Sequence, residues 1–151
     1  MGCTLAWAGP APQRWRLAAR RHLNAGSLGQ PVFHLELEPG NAIAATEAAW
    51  QAGDLARVHL PDASARPRDY SIASTDVDGR VHLLIRQHRD DDGRRGLASS
   101  WLTETLAIGD ELTLGLVAHR NFRLGANAAR PLILVGNGTG CLLYTSPSPR
   151  D

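Results

Sequence analysis

Hydrophobic and polar residues alternate along several short stretches of this chain. The clearest case is Val32–Glu38, where Leu35 and Leu37 alternate with His34 and Glu36. A period of two is typical of a strand that buries one face and exposes the other. The sequence therefore predicts a half-buried β-strand at this position.

Similar stretches, separated by turns rich in glycine and proline, predict a mostly β protein. The further strands expected are Arg14–Leu23, Asp54–Leu60, Tyr70–Ser74, Val81–His88 and Glu111–Val117. Only Ser99–Leu106 has helical spacing, with Ser99 or Ser100 as the expected N-cap and Leu102 and Leu106 on one face. Six short strands with one short helix favour a closed antiparallel barrel.

The pattern changes near the C-terminal end of the sequence. Pro131–Val135 contains a continuous apolar run, and a glycine-rich loop follows it. A run without alternation indicates a strand buried on both faces, as in a parallel α/β sheet. We therefore expect a linker over residues 1–13, a barrel over 14–130 and the start of a second domain over 131–140.

Composition excludes several classes of function. The net charge is +1, which does not favour nucleic-acid binding, and all 16 basic residues are arginine, so lysine chemistry is absent. No run of about 18 apolar residues occurs, and no membrane segment is expected. Cys3 and Cys141 lie far apart without neighbouring ligands, which favours a reducing, cytoplasmic compartment over a disulfide framework.

The first candidate site is the motif Arg68-Asp-Tyr-Ser-Ile-Ala-Ser74. Arg68 offers a forked cation for a diphosphate, and Tyr70 offers an aromatic face for a ring. Ser71 adds a hydroxyl group. Taken alone, the motif fits equally well a strand with a core tyrosine and a solvated arginine.

The second candidate site begins at Gly96, whose lack of a side chain lets the backbone approach a ligand closely. The N–H groups of Leu97, Ala98 and Ser99 open a short helix and can surround a pyrophosphate. Taken alone, this segment fits an ordinary capped helix.

In their order along the chain, these two motifs resemble the Arg-x-Tyr-Ser and Gly-x-x-Ser/Thr-x-x-Leu flavin signatures of the ferredoxin–NADP reductase superfamily. Asn121–Asn127 resembles a segment of the flavoprotein subunit of NADPH-sulfite reductase, with Gly125 in place of its proline. Gly136-Asn-Gly138-Thr139-Gly140 resembles the loop that receives the NADP pyrophosphate. The resemblance covers about residues 14–140 and points to the sulfite reductase flavoprotein and cytochrome P450 reductase group.

The resemblance implies a Greek-key, FAD-binding barrel in an NADPH-dependent flavoenzyme. Electrons would pass from NADPH through FAD to a flavodoxin-like, haem or iron–sulfur acceptor. The residues it assigns to FAD are Arg68, Tyr70, Ser71, Ser74, Gly96, Leu97, Ala98 and Ser99, with Ser71 catalytic beside the flavin N5. Gly136, Gly138, Thr139 and Gly140 would form the NADP loop.

The chain departs from the two-flavin enzymes of that group in one respect. They carry a large insertion ahead of the Arg-x-Tyr-Ser motif, whereas here Asp54 is followed closely by Arg68. A single-flavin ferredoxin or flavodoxin reductase is therefore an alternative, and a non-enzymatic barrel that binds a small ligand or a partner protein is a second. An upstream flavodoxin domain with FMN would be expected only of the two-flavin type.

The last eleven residues, Cys141–Asp151, do not fit a nucleotide-binding helix, because Pro147 and Pro149 would break it. This tail resembles the in-frame translation of a transposase-type sequencing adapter. We expect a non-native tail and a truncated NADP-binding domain, and hence no useful NADPH oxidation by this chain.

Other residues carry less specific signals. The histidines, at positions 22, 34, 59, 82, 88 and 119, are scattered, and without an i, i+4 pair no metal site is expected. Trp50 and Trp101 are expected to pack in the core or beside the flavin. Asp90–Asp92 is expected to be a solvated loop tip, with a docking patch for an electron-transfer partner as the alternative.

Overall fold

The structure, a computed structural model, describes residues 11–40, 49–119, 125–127, 129–131 and 133. Its strands are β1 (Gln13–His22), β2 (Val32–Pro39), β3 (Leu55–His59), β4 (Arg68–Ser71), β5 (Val81–Arg86) and β6 (Glu111–Val117). A short helix, α1 (Leu97–Ser100), continues into a π-helical turn over Trp101–Thr105. These elements confirm the prediction of a mostly β fold with six strands and one short helix.

The six strands form a single antiparallel sheet in the order β4-β3-β6-β1-β2-β5. The two outer strands of this order meet at a bridge between Ile72 and Leu83. Next to it, the Ala73 N–H donates to the His82 carbonyl at 2.8 Å. The sheet therefore curls into a barrel that closes at this bridge, and we call the line along which β4 and β5 face each other the seam.

The barrel interior is filled by apolar side chains from all of its walls. The buried cluster contains Trp15, Leu17, Leu35, Leu37, Trp50, Ala56, Val58, Ile72, Val81, Leu83, Ile85, Leu102, Leu106, Leu112 and Leu114. The rings of Trp15 and Trp50 meet edge to face, with centroids 6.0 Å apart. Trp101 is half-buried against the same cluster. Both tryptophans predicted to pack in the core or beside the flavin thus contact the core.

A bulge in β1 explains why that strand alternates only weakly in sequence. Leu17 pairs with Leu37, but the next recorded pair is Ala19 with Glu36, so the register shifts. Beyond the bulge, the Arg20 guanidinium donates to the carbonyls of Leu102 and Leu106, at 3.5 and 2.5 Å. A cation at the C-terminal end of a helical segment is favourable, so Arg20 fixes that end against the sheet.

Two predicted boundaries are wrong for identifiable reasons. β4 begins at Arg68 rather than Tyr70, because Arg68 already pairs with Val58 of β3. The helix begins at Leu97, and its N-cap is Gly96 rather than Ser99 or Ser100. Ser99 instead lies in the first helical turn.

Several predicted features fall largely outside the described residues. They are the strand Pro131–Val135, of which only Pro131 and Ile133 are described, the NADP loop and the tail 141–151. The division into linker, barrel and second domain therefore stays a prediction. Among the residues that are described, no helix is both long enough and apolar enough to cross a membrane.

Candidate functional site

The first motif lies on β4, at the seam. One edge of β4 pairs with β3, through Arg68 with Val58, Tyr70 with Ala56 and Ser71 with Leu55. The other edge faces β5, but the recorded bridge to β5 begins only at Ile72. Both strands are fully described, so the stretch from Arg68 to Ser71 borders an open part of the seam.

An ion pair holds β4 in this position. The Arg57 Nε and Nη2 atoms of β3 donate to the two carboxylate oxygens of Asp69, each at 2.6 Å. Both side chains are about one-third exposed, at 32% and 35%. The two-point contact fixes orientation better than a single hydrogen bond does, so it sets how the motif is presented.

Arg68 is exposed and bonded only weakly to its own turn. Its Nη1 donates to the carbonyls of Arg66 and Pro67, at 2.9 and 3.2 Å. These acceptors are neutral, whereas a phosphate oxygen carries charge and forms a stronger hydrogen bond with a guanidinium. The side chain is therefore able to exchange these contacts for a diphosphate.

Tyr70 combines a half-buried ring with a neutral hydroxyl. The ring packs against the core cluster. Burial raises the pKa of the Tyr70 phenol, and the nearby Arg68 charge lowers it by less. Tyr70 therefore stays protonated at neutral pH, and it offers an aromatic surface and a donor rather than a charge.

The second motif is held in a tight loop by Ser99. The Ser99 hydroxyl accepts the His88 N–H at 3.0 Å and donates to the Gly96 carbonyl at 3.2 Å. The Gly96 N–H donates to the His88 carbonyl at 2.8 Å. A Cβ atom on Gly96 would lie 3.0 Å from both His88 Cβ and Ser99 Oγ, so a side chain here would force these neighbours to shift.

This loop presents a row of backbone donors. The first bond of the helix runs from the Ser100 N–H to the Gly96 carbonyl, at 3.0 Å. The N–H groups of Leu97, Ala98 and Ser99 come before any intrahelical acceptor. Such groups at a helix start are suited to hold an anion.

The register of the seam brings the two motifs to one end of the barrel. Since Ile72 faces Leu83 in an antiparallel bridge, residues that precede Ile72 run alongside residues that follow Leu83. The position of Arg68 thus lies towards the end of β5, where His88 begins the loop that carries Gly96. The sequence predicts that both motifs belong to one site, and the strand register is compatible with that prediction.

A polar network fixes the helical segment behind that loop. The Gln87 Nε2 donates to Thr103 Oγ1 at 2.8 Å and to Glu104 Oε1 at 2.9 Å. Thr103 donates in turn to the Ser99 carbonyl at 2.7 Å, and Arg95 pairs with Glu104. Gln87 and Thr103 are buried, so this network anchors the donors of the loop on the end of β5.

Ser74 occupies a different environment from Ser71. It is buried, and its hydroxyl donates to the Arg80 carbonyl at 2.9 Å and accepts the His82 N–H at 3.0 Å. Ser71 is exposed on β4. The hydroxyl of Ser74 thus bonds within the protein, and its assignment to FAD stays a prediction.

The remaining candidate residues are placed as follows. Gly136, Gly138, Thr139 and Gly140 lie outside the described residues, as do residues 121–124 of the Asn121–Asn127 segment. The acidic run Asp90–Asp92 is an exposed loop tip, as predicted. Asp90 shapes this tip by accepting the Arg94 N–H at 2.7 Å.

Sequence reasoning missed one group of chemically capable side chains. His34 and Glu36 of β2 and His82 of β5 have donor atoms that all lie within 4.8 Å of one another. Spacing along the chain does not reveal the group, because it depends on the pairing of Glu36 with His82 across strands. The only available signal was the i, i+2 spacing of His34 and Glu36 on a predicted strand.

Comparison with known proteins agrees with the motifs. The chain is 39% identical over 85 residues to the NADPH-sulfite reductase flavoprotein alpha-component of Vibrio parahaemolyticus, covering 53% of this chain and 14% of that protein. It is 42% identical over 79 residues to the alpha-component of Zymomonas mobilis, covering 49% and 13%. No family model matches the chain. The chain therefore spans a small part of the length of these relatives.

Solved structures show the same fold. A point mutant of ferredoxin–NADP+ reductase from Plasmodium falciparum with 2'P-AMP matches with a TM-score of 0.69 at 21% identity, over 88% of this chain and 51% of that one. Another structure of this reductase matches with a TM-score of 0.61 at 20% identity, over 76% and 41%. These matches show that the chain shares its barrel fold with ferredoxin–NADP+ reductase, and the sequence relatives agree with the resemblance drawn from the motifs.

Proposed function

We propose that this chain is the FAD-binding part of an NADPH-dependent flavoprotein reductase. The parent enzyme passes electrons from NADPH through FAD to an acceptor protein or a flavodoxin-like domain. The observation that carries the proposal is the position of the two motifs, since an exposed arginine on β4 and a row of backbone donors on α1 lie towards the same end of the seam.

The residues present fit the charge and shape of FAD. Arg68 supplies an exposed guanidinium for the diphosphate, and the N–H groups of Leu97, Ala98 and Ser99 supply neutral donors at the helix start. Gly96 allows the close packing of the loop that carries these donors, because a Cβ there would press on His88 and Ser99. A dinucleotide with two adjacent phosphates makes use of both kinds of donor at once.

Each side chain of the motif has its own task in the proposed reaction. When bound, FAD supplies the exchange between a two-electron hydride donor and one-electron acceptors. Tyr70 provides a rigid aromatic surface that orients the ring system, and it excludes water from one side of it. Ser71, exposed on the open part of the seam, holds a hydrogen-bond donor at the reacting edge.

The other parts of the parent protein belong to the same proposal. Residues 14–130 form the FAD-binding barrel, and residues 131–140, with Gly136, Gly138, Thr139 and Gly140, begin the NADP-binding domain. Their support is the similarity to reductases whose names include NADPH. We also infer a cytoplasmic protein, because Cys3 and Cys141 are distant in sequence and no cysteine framework is indicated.

A single-flavin reductase is the second candidate, and one observation favours it. β3 ends at His59 and β4 begins at Arg68, so only residues 60–67 connect them. The large insertion of the two-flavin group would precede the motif, and a connection of this length has no room for it. A parent of this type would use free ferredoxin or flavodoxin as its acceptor, and no FMN domain would precede the barrel.

The proposal is tested by titrating the full chain with FAD and following the quenching of flavin fluorescence. We expect saturable binding of one FAD per chain and a yellow protein. Arg68→Ala should weaken binding by roughly 10- to 150-fold, the cost of about 1.5–3 kcal/mol for a hydrogen bond to a charged group. The matched control is Arg14→Ala, an exposed arginine of β1 that pairs with Glu111, and it should bind FAD like the parent.

Two results would contradict the proposal. A colourless chain that does not quench flavin fluorescence would favour the non-enzymatic barrel. Equal affinities for the parent and for Arg68→Ala would place any flavin site elsewhere.

A further inference from the structure

A second group of reactive side chains lies on the outer surface of the barrel. β2 and β5 are neighbouring strands, and Glu36 pairs directly with His82. His34 lies two residues before Glu36, so both side chains emerge on the same face of β2. This face is opposite to the one that carries the buried Leu35 and Leu37.

The three side chains are close enough to share one ligand. Their donor atoms all lie within 4.8 Å of one another, and all three residues are half-buried. The His34 and His82 rings are 4.9 Å apart at an angle of 79°. Tetrahedral Zn²⁺ with bonds of about 2.0–2.2 Å places its donors about 3.4 Å apart. Rotation of the side chains covers this difference without moving the strands.

We propose that His34, Glu36 and His82 form a binding site for a divalent transition metal of the zinc class. Two imidazoles and one carboxylate are a ligand set that zinc prefers, whereas Mg²⁺ and Ca²⁺ prefer oxygen donors alone. Three protein ligands leave a fourth position for water. The site is separate from the flavin motifs, since none of the three residues belongs to them.

Charged neighbours of the site limit its affinity but do not block it. Arg80 donates to Glu36 Oε2 at 2.7 Å and also reaches Glu38 Oε2 at 3.5 Å. Because Glu38 is a second acceptor, Arg80 keeps a partner when Glu36 turns to the metal. Arg21 faces His34 from β1 and adds an opposing positive charge.

The surroundings of His34 lower its pKa. Burial has the largest effect, His82 lowers the pKa further, Glu36 raises it, and Arg21 lowers it least. A bound ion would tie β2 to β5, the strand that forms one side of the seam.

The test uses the full chain without a histidine tag, titrated with Zn²⁺ in a calorimeter. Co²⁺ serves as a second probe, because its visible absorption reports ligand geometry. We expect one Zn²⁺ per chain, and His34→Gln and His82→Gln should each lower the affinity by about tenfold or more. His59→Gln is the matched control, since His59 is a half-buried histidine on β3, and it should bind like the parent.

Thermal unfolding separates loss of the site from loss of the fold. Without metal, His34→Gln and His82→Gln should melt close to the parent temperature. Zn²⁺ should raise the Tm of the parent and of His59→Gln more than that of these two variants. The proposal is overturned if binding does not saturate or if His59→Gln weakens it as much as His34→Gln does. Binding that disappears in a Cys3→Ser, Cys141→Ser double variant would likewise assign the metal to the thiols.

Discussion

The seam and the opposite wall of the barrel are built from the same kind of strand but differ in how the backbone is paired. In the opposite wall, β1 pairs with β2 along one edge and with β6 along the other. At the seam, β4 pairs with β3 but meets β5 only at the bridge from Ile72 to Leu83. The barrel is thus continuous on one side and partly open on the other.

This difference decides where each kind of chemistry occurs. Along the continuous wall, the sheet hydrogen bonds occupy the backbone, so reactive groups there are side chains such as His34 and Glu36. Beyond the end of β5, the N–H groups at the start of α1 precede any intrahelical acceptor and are suited to a ligand. We therefore expect the large cofactor at the seam, where strand pairing is interrupted. We expect the small ion at His34, Glu36 and His82, which strand pairing brings together.

The largest expected effect comes from breaking the continuous wall. Leu17 is fully buried, so Leu17→Ala should lower the free energy of unfolding by about 2–5 kcal/mol, from lost burial and the cavity left behind. Urea denaturation followed by tryptophan fluorescence measures it. Leu28→Ala is the control, since Leu28 is fully exposed and should change stability by less than about 0.5 kcal/mol. Equal losses in both variants would contradict the assignment of the core.

The next largest effect is expected from Ser74, whose hydroxyl is buried, in contrast to the exposed Ser71. Ser74→Ala should lower stability by about 1–3 kcal/mol, because the His82 N–H loses its acceptor in a buried setting. FAD affinity should stay within about twofold, since the Ser74 hydroxyl bonds within the protein. Ser71→Ala should show the reverse, with unchanged stability and weaker FAD binding. Weakened FAD binding by a stable Ser74→Ala protein would restore the cofactor role predicted from sequence.

A substitution at Gly96 tests the loop that follows β5 at the end of the seam. Gly96→Ala places a Cβ atom 3.0 Å from His88 Cβ and Ser99 Oγ, and we expect a loss of about 1–2 kcal/mol from overpacking. FAD affinity should fall as well, because the donors that follow Gly96 are displaced. Gly29→Ala is the matched control, with its nearest contact an ordinary 3.6 Å. Full FAD affinity in Gly96→Ala would separate the loop from the cofactor.

The smallest expected effect concerns the ion pair between Arg80 and Glu36 on the outer face of the barrel. The hydrogen bond from Arg80 lowers the pKa of Glu36 below its ordinary value of 4.5. The charged form is thus favoured in the folded state, so its contribution is present above about pH 4.5 and is lost as the pH falls through the folded pKa. Arg80 is 43% exposed, so we expect less than about 1 kcal/mol.

This effect is measured as the difference in unfolding free energy between the parent and Glu36→Gln, with a chelator present, at pH 7 and near pH 3. The difference should become smaller at the lower pH. Glu111→Gln removes the ion-pair partner of Arg14, and Glu111 is more exposed than Glu36. It should therefore lower the free energy of unfolding by less at either pH. A difference that stays the same in acid would mean that Glu36 acts through packing rather than charge.

Local pattern was sufficient for much of the fold. Leu35 and Leu37 were correctly expected on a buried face, and Leu102 and Leu106 on the buried face of the helix. The start of β4 was missed because it depends on the pairing of Arg68 with Val58, which no local signal shows. The weak alternation of β1 has its cause in a bulge, and a bulge is fixed by the partner strand.

The candidate site residues also fall into those that the sequence indicates and those that depend on strand pairing. Arg68, Tyr70 and Gly96 were found because their spacing follows a recognisable signature. The group of His34, Glu36 and His82 was missed because it exists only once β2 lies beside β5. Residues joined by strand pairing are far apart in sequence, so spacing alone does not identify them.

One edge of β4 pairs with no other strand among the described residues, and this edge has a consequence for self-association. An open strand edge presents backbone donors and acceptors to the strands of other molecules, and such edges are starting points for aggregation. Here Pro67 lacks an N–H group, and Arg68 and Asp69 place charges of both signs on the strand. Prolines and charges are the usual protection of exposed edges. The residues that open the Arg68–Ser74 motif thus also discourage intermolecular strand pairing.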